Sequence, residues 1–231
     1  VVELDEILEA PARGSAEELL DAGASDHLSR MRHSAAHVMA EAVMRLFPGA
    51  KLGIGPAITD GFYYDFLLER PLTPDDLAAI EGEMSKSIAA DHAFVLAEYG
   101  FDEARAALVR FGQPFKVEIM DDLATVAAAA GKSAPNVTTY QHGEFQDLCR
   151  GPHVESTGKI GPFKLLSIAG AYWRGKSDRP MLQRIYGTAW ETQEQIDQYL
   201  WRRDEARKRD HRKLGVALDL FSFHDVSPGS A

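Results

Sequence analysis

The chain has 231 residues, of which 45% are hydrophobic and 26% are charged, a composition that can build one large or two small apolar cores and argues against disorder. Its formal net charge of −10 argues against a general nucleic-acid coat protein, which needs an excess of basic side chains. The single cysteine excludes an internal disulfide, and without a long apolar stretch or a basic signal peptide the chain is expected to be soluble and cytoplasmic.

A helix is predicted first, over residues 29–47, with Ser29 as its cap and a stop at Pro48-Gly49. Residues 51–66 are then predicted to be extended around a turn at Asp60-Gly61. Thr73 precedes a proline and has an acid three residues later, which predicts a capped helix that runs to about residue 90.

Short elements of both types are predicted in the middle of the chain. They are a strand over residues 94–99, a helix over 102–111, a strand over 115–120 and an alanine-rich helix over 122–130. Extended stretches follow at residues 137–140, 163–172 and 181–186, before a charged connecting helix over residues 192–214. This alternation of element types predicts the α+β class.

The charges are segregated along the chain. Residues 1–27 carry eight acidic side chains and one basic side chain, whereas residues 143–190 and 202–213 have net charges of +3 and +4. A polyanion could therefore bind the C-terminal half, although the second basic stretch could equally be the solvated face of an exposed helix.

His33 and His37 are four residues apart on the first predicted helix, so their imidazoles project from one face. Zinc proteases with this spacing carry a glutamate directly after the first histidine, where this chain has Ser34. A metallopeptidase is therefore disfavoured. Taken alone, such a pair of histidines more often lies on a surface or in a core without a specific role than in a functional site.

Cys149 and His153 are also four residues apart, but Gly151-Pro152 between them indicates a tight turn instead of a helix. Together the two pairs could bind zinc tetrahedrally or line a polar site without metal. Alternatively, Cys149 is a buried small apolar residue. A Cys/His nucleophile is conceivable, but the sequence carries no clear acyl-transfer signature.

The segment Gly53-Ile54-Gly55-Pro56 imitates the opening of a dinucleotide-binding fingerprint but lacks its third glycine and does not lead into a helix. Its glycines are expected to let the backbone pack closely against the helix that carries His33 and His37. No Walker-type phosphate loop occurs, so the chain itself shows no ATP site.

Six runs, taken in order, resemble the editing domain of bacterial threonyl-tRNA synthetases over roughly residues 30–225. They are residues 32–37 (RHSAAH), 53–56 (GIGP), 61–65 (GFYYD), 149–153 (CRGPH), 169–175 (AGAYWRG) and 182–190 (LQRIYGTAW). A related domain of alanyl-tRNA synthetases and free-standing alanyl deacylases shares the two histidine and cysteine pairs but is not expected to share the other runs.

The resemblance implies an antiparallel sheet or partial barrel packed with helices. It implies an editing domain over residues 28–190, a linker helix over 191–215 and the start of a class II aminoacylation core over 216–231. Residues 1–27 are then expected to be an acidic arm in place of the small ubiquitin-like domain that usually precedes the editing domain. Ligation, its ATP and its catalytic zinc would then belong to sequence outside this chain.

The activity that the resemblance implies is hydrolysis of seryl-tRNA(Thr), within a threonine-tRNA ligase that forms a homodimer through its core. Alternatives are a non-catalytic appendage that binds the tRNA acceptor stem, a zinc-dependent hydrolase like the alanyl deacylases, and a structural zinc module. Editing would need no cofactor. If zinc does bind, its ligands would be His33, His37, Cys149 and His153.

The family's catalytic residues map onto His33, His37, Lys116, Asp147, Cys149 and His153. The two helical histidines would orient water and contact the terminal adenosine, and Asp147 would bind the serine ammonium or hydroxyl. Lys116, on a strand, would stabilise the ester's negative charge or position water, and the general base would be a histidine or Lys116 acting through water. Substrate binding is expected from Tyr64, Arg150, Tyr172, Arg174 and Arg184, of which the arginines, with Lys176 and Arg179, would hold tRNA phosphates.

Overall fold

The computed structural model describes residues 26–209, and the chain divides into two compact units after Glu191. Described helices of the first unit are α1 (Asp26–Leu46), α2 (Pro74–Ala89), α3 (Phe101–Arg110) and α4 (Pro114–Ala129). Its strands are β1 (Lys51–Leu52), β2 (Ala57–Ile58), β3 (Gly61–Leu67), β4 (Val95–Tyr99), β5 (Val137–His142), β6 (Phe145–Leu148), β7 (Phe163–Tyr172) and β8 (Met181–Ala189). This mixture confirms the predicted α+β class.

Two antiparallel sheets organise the first unit, and neither is closed. In the larger sheet the strand order is β1-β3-β8-β7, with β2 paired to β3, and the smaller has the order β4-β5-β6. One face of α1 packs on the larger sheet, where Met39 and Val43 share a core with Phe62 and Phe66 of β3. The alanines of α1 are fully buried, which lets the helix and the sheet approach closely.

The predicted ends of α1 and α2 are close to the observed ones. Helix α1 starts three residues before Ser29, so this serine is not its cap. Thr73 does cap α2, since Thr73 Oγ accepts from the backbone N–H of Asp76 and the Asp76 carboxylate accepts from that of Thr73. The start of α2 is determined by residues close in sequence, which is why the pattern predicts it well.

The predicted strand over residues 115–120 is wrong, because these residues form the start of the single helix α4. Pro114 occupies its first turn, and the buried Phe115, Ile119 and Leu123 recur at helical spacing. These residues pack on Trp173 or on the smaller sheet, and this burial overrides the β-propensity of the segment. Lys116 therefore projects from a helix.

The second unit contains α5 (Gln193–Lys208), which Thr192 caps together with Gln195, as the predicted helix start at residue 192 requires. The predicted continuation to residue 214 lies outside the described residues, as do most of the acidic arm and the predicted start of an aminoacylation core. The predicted domain boundaries stay predictions. Within residues 26–209, none of the helices is long and apolar enough to cross a bilayer.

Candidate functional site

The two histidine and cysteine pairs converge on one point. Helix α1 supplies His33 and His37, and the chain leaving β6 supplies Cys149 and then His153. Cys149 Sγ lies 3.4 Å from Nε2 of His33 and 3.4 Å from Nε2 of His153. One ligand atom from each of the four residues lies within 4.8 Å of the others. The fold therefore brings together residues more than a hundred positions apart.

As predicted, the chain between Cys149 and His153 is not helical, but residues 149–154 form neither a regular turn nor a sharp bend, so the predicted tight turn is not observed. Gly151 has φ +70°, a left-handed conformation that favours glycine, and a side chain there would overlap the ring of Tyr140. This segment places His153 against two aromatic rings, stacked on Phe94 at 4.7 Å and tilted against Tyr140 at 4.4 Å between centroids. The imidazole is thereby held in place on two sides.

Asp147 is the central residue of a second group of polar side chains, which lies beside the cluster of His33, His37, Cys149 and His153. Its carboxylate accepts a hydrogen bond from Tyr64 Oη at 2.5 Å and from the backbone N–H of Leu148 at 2.8 Å. Lys116 Nζ lies 2.9 and 3.0 Å from its two oxygens. These four contacts use the lone-pair positions of a carboxylate, so a substrate ammonium would have to displace one of them. Asp147 thus ties α4 and β3 to β6.

Burial determines the protonation states of the cluster formed by His33, His37, Cys149 and His153. It lowers the pKa of His33 to about 4 and that of His153 to about 2, and it lowers the pKa of His37 as well. Burial raises the pKa of the Cys149 thiol to about 12. At neutral pH the cluster therefore combines neutral imidazoles, which can accept a proton, with a thiol that keeps its own and is a poor nucleophile.

A cavity of about 560 Å³ opens beside both groups. The polar residues that line it include His33, His37, Tyr64, Lys116, Asp147, Cys149 and Arg150, and the apolar residues include Ile54, Ile119, Leu123 and Val137. His153 does not line it and lies behind Cys149. Most of the predicted catalytic residues therefore line the cavity, whereas His153 lies behind them and contacts Cys149 and the rings of His33 and His37.

The structure does not bring Tyr172, Arg174 and Arg184 to this cavity. Arg184 is buried and forms a bidentate pair with Asp65 at 2.7 and 2.9 Å, since the register of β3 and β8 places the two opposite each other. Arg174 pairs with two acids of α4, and Tyr172 is exposed. Contacts of Tyr172 and Arg174 with tRNA stay predictions, whereas a phosphate would have to separate Arg184 from Asp65.

Three residues that contact His153, namely Phe94, Tyr140 and Ser34, are not among the predicted site residues. Phe94 precedes β4 and Tyr140 lies on β5, and nothing in their local pattern marks them as neighbours of an imidazole. Ser34 lies between the two histidines of α1 in the sequence, and this position is the signal that identifies it.

The expectation that Gly53 and Gly55 pack against α1 is wrong. Gly55 lies against the ring of Tyr64 on β3, and Gly53 lies against Asp65 of the same strand. The reason is that backbone hydrogen bonds join this segment to β3, including one from the N–H of Gly53 to the carbonyl of Asp65 at 2.8 Å. The glycines therefore support the position of Tyr64.

Replacing Gly55 by alanine is expected to destabilise the protein by about 1–3 kcal/mol, because the new methyl group would overlap the Tyr64 ring and displace it from Asp147. Urea unfolding measures the change. Gly82→Ala is the matched control, since this exposed glycine of α2 has no neighbour within 4 Å and should gain about 0.5–1 kcal/mol. Equal effects of the two substitutions would contradict this packing.

Comparison with known proteins gives consistent results. Residues 137–186 match the family described as the threonyl and alanyl tRNA synthetase second additional domain. The chain is 52% identical over 206 residues to a threonine–tRNA ligase of Myxococcus xanthus, a match that covers 89% of the chain and 31% of the ligase. For the ligase of Solidesulfovibrio magneticus the identity is 55% over 198 residues, covering 86% and 29%.

A third threonine–tRNA ligase, from Nitratidesulfovibrio vulgaris, is 49% identical over 227 residues, which cover 98% of the chain and 34% of that protein. The chain thus spans about a third of the length of these relatives. All three similarities extend well beyond the residues matched to the family.

Proposed function

We propose that this chain, whose residues 137–186 match the threonyl and alanyl tRNA synthetase second additional domain and which resembles threonine–tRNA ligases over most of its length, hydrolyses seryl-tRNA(Thr) to serine and free tRNA. One observation carries the proposal. Neutral imidazoles, a protonated thiol and the Lys116–Asp147–Tyr64 group face one cavity large enough for an aminoacyl ester with its terminal nucleoside.

A threonine enzyme needs such an activity for a physical reason. Serine is smaller than threonine by one methyl group, and a binding pocket discriminates that difference by only about 1–3 kcal/mol. A synthetic site cannot exclude a smaller substrate by size. A second site that is too tight for threonine and open to serine supplies the missing selectivity by hydrolysing the wrong ester.

The nucleophile in this mechanism is water. Because the Cys149 thiol stays protonated, attack by a thiolate is disfavoured, and a neutral imidazole of His33 or His37 takes the proton of the attacking water. The new C–O bond produces a negative oxygen, which an ammonium proton of Lys116 stabilises. When the bond to the ribose oxygen breaks, the proton returns to that oxygen, and serine and tRNA are released.

Zinc fits the first cluster by its donor set. Three imidazoles and one thiol are preferred zinc ligands, their four ligand atoms lie within 4.8 Å of one another, and Nδ1 of His37 is buried with no hydrogen-bond partner. His33, His37, Cys149 and His153 would hold the ion, which in catalytic sites lowers the pKa of bound water. Four protein ligands saturate a tetrahedral ion, so we propose hydrolysis without metal and a regulatory or adventitious role for bound zinc.

The partner in this proposal is the acceptor end of tRNA(Thr). Arg150 lines the cavity and is exposed, and in this proposal its positive charge attracts a phosphate near the 3′ end. The apolar side of the cavity, with Ile119, Leu123 and Val137, suits the flat face of a base. The enzyme would act in the cytoplasm, where tRNA is charged.

The test is a deacylation assay with the chain as it stands, on seryl-tRNA(Thr) and threonyl-tRNA(Thr) in parallel, with zinc content measured before and after a chelator. Rapid loss of serine alone supports the proposal. Binding of both tRNAs without hydrolysis would replace it by an acceptor-stem-binding appendage. Activity that disappears with zinc indicates a hydrolase of the alanyl-deacylase kind, and unfolding on zinc removal indicates a structural zinc module.

A further inference from the structure

Ser34 is fully buried between the two histidines of α1, and its hydroxyl has three polar neighbours. Oγ lies 2.8 Å from the carbonyl oxygen of Arg30, 3.0 Å from Nδ1 of His153 and 3.1 Å from the backbone nitrogen of Val154. The side chain therefore joins the histidine helix to the segment that carries His153. Ser34 is not among the residues that line the cavity.

Counting protons assigns each of these contacts a direction. A hydroxyl donates one proton and accepts up to two hydrogen bonds. The Arg30 carbonyl can only accept, so the Ser34 proton points to it, and the N–H of Val154 can only donate. The remaining lone pair of Oγ faces Nδ1 of His153, so this nitrogen carries a proton and donates it.

The position of that proton determines what His153 presents to Cys149. A neutral imidazole carries one ring proton, and with that proton on Nδ1 the lone pair is on Nε2. Nε2 lies 3.4 Å from Cys149 Sγ, so the protonated thiol donates to it. In the opposite tautomer an N–H would point at the thiol, and the Ser34 hydroxyl would lose its third partner.

We propose that Ser34 is a positioning residue, which holds His153 as the Nδ1–H tautomer and thereby directs the S–H of Cys149 away from the neighbouring His33. Its effect on turnover rests on the proposed function. His33 Nε2 lies 3.4 Å from the same sulfur, and a thiol proton directed at His153 leaves that nitrogen available to water in the cavity. Ser34 thus acts on the site through His153 and Cys149, without touching substrate.

The experiment compares the unmodified chain with Ser34→Ala and with Ser29→Ala, an identical change at an exposed position of the same helix. Long-range ¹H–¹⁵N NMR spectra of ring-labelled histidine report which ring nitrogen carries the proton, and His153→Gln assigns the signal. We expect Nδ1–H for His153 in the unmodified chain and in Ser29→Ala, and a mixture or the Nε2–H form in Ser34→Ala. Deacylation by Ser34→Ala should show a kcat about tenfold lower with KM unchanged, while Ser29→Ala should match the unmodified chain.

Two results would overturn the proposal: a proton on Nε2 of His153 in the unmodified chain, or a Ser34→Ala variant with unchanged tautomer and kcat. The first measurement does not use Ser34→Ala, so it holds even if that variant fails to fold. It also needs no turnover. If the Nδ1–H form and its loss in Ser34→Ala are observed but no seryl-tRNA is hydrolysed, the tautomer control stands and the proposed function fails.

Discussion

Replacing His37 by alanine is expected to lower the rate of seryl-tRNA(Thr) hydrolysis by about 10²–10⁴-fold, the usual contribution of a general base. His37 lines the cavity, its ring lies 5.1 Å from that of His33, and its lowered pKa keeps it neutral at pH 7. Its Nδ1 has no hydrogen-bond partner in the described part of the chain. The substitution therefore removes a proton acceptor without breaking a polar contact there. Single-turnover deacylation measures the loss.

His27→Ala is the matched control, because His27 lies on the same helix but is exposed and contacts Glu191 instead of the cavity. It should leave hydrolysis unchanged. Thermal unfolding of both variants separates loss of chemistry from loss of fold, and His37→Gln, which keeps more of the buried volume, repeats the test if His37→Ala is unstable. A folded His37 variant with full activity would assign the base to another group.

The largest effect on stability is expected from Asp147→Asn, which removes the negative charge beside the buried Lys116. The two side chains are only 3% and 5% exposed, and an ammonium left at that depth without its carboxylate costs about 3–5 kcal/mol. The same change weakens the short hydrogen bond from Tyr64. Urea unfolding at pH 7 gives the change in the free energy of unfolding.

Asp121→Asn provides the comparison within the same fold. Asp121 pairs with Arg105 at 2.6 Å, but these side chains are 50% and 40% exposed, so its loss should cost less than about 1 kcal/mol. The double variant Lys116→Met/Asp147→Asn should regain much of the stability, since it removes both charges together. If Asp147→Asn costs no more than Asp121→Asn, the carboxylate does not support the buried ammonium.

Helical spacing and capping were predictable because they depend on neighbours within one turn. The interval between His33 and His37 places both on one face of α1 whatever else the chain does, and Thr73 with Asp76 determines where α2 begins. The absence of helix between Cys149 and His153 follows equally from Gly151-Pro152. These features needed no knowledge of the rest of the molecule.

Lys116 and Arg184 show where local patterns fail. The segment around Lys116 has β-branched and aromatic residues typical of a strand, yet its apolar positions are buried at helical spacing once α4 packs on Trp173 and the smaller sheet. In the sequence, Arg184 is one of several basic residues in the positively charged stretch 143–190. In the structure, the register of β3 and β8, which are distant in sequence, places Arg184 opposite Asp65, and the two form a buried ion pair.

By itself, the sequence determined the α+β class, most helix and strand positions, and the two four-residue spacings that carry imidazoles and a thiol. The resemblance of six runs to one family supplied the candidate site residues. Only the tertiary structure decided that Cys149 contacts both His33 and His153 and that Asp147 contacts Lys116 and Tyr64. It also decided that Ser34 joins helix α1 to the segment that carries His153. The physical reason is the distance along the sequence over which each interaction acts. Hydrogen bonds and side-chain spacing within a helix or turn involve residues only a few positions apart. The contacts of the site form only when α1 and α4 pack on the two sheets and bury residues that are far apart in the chain.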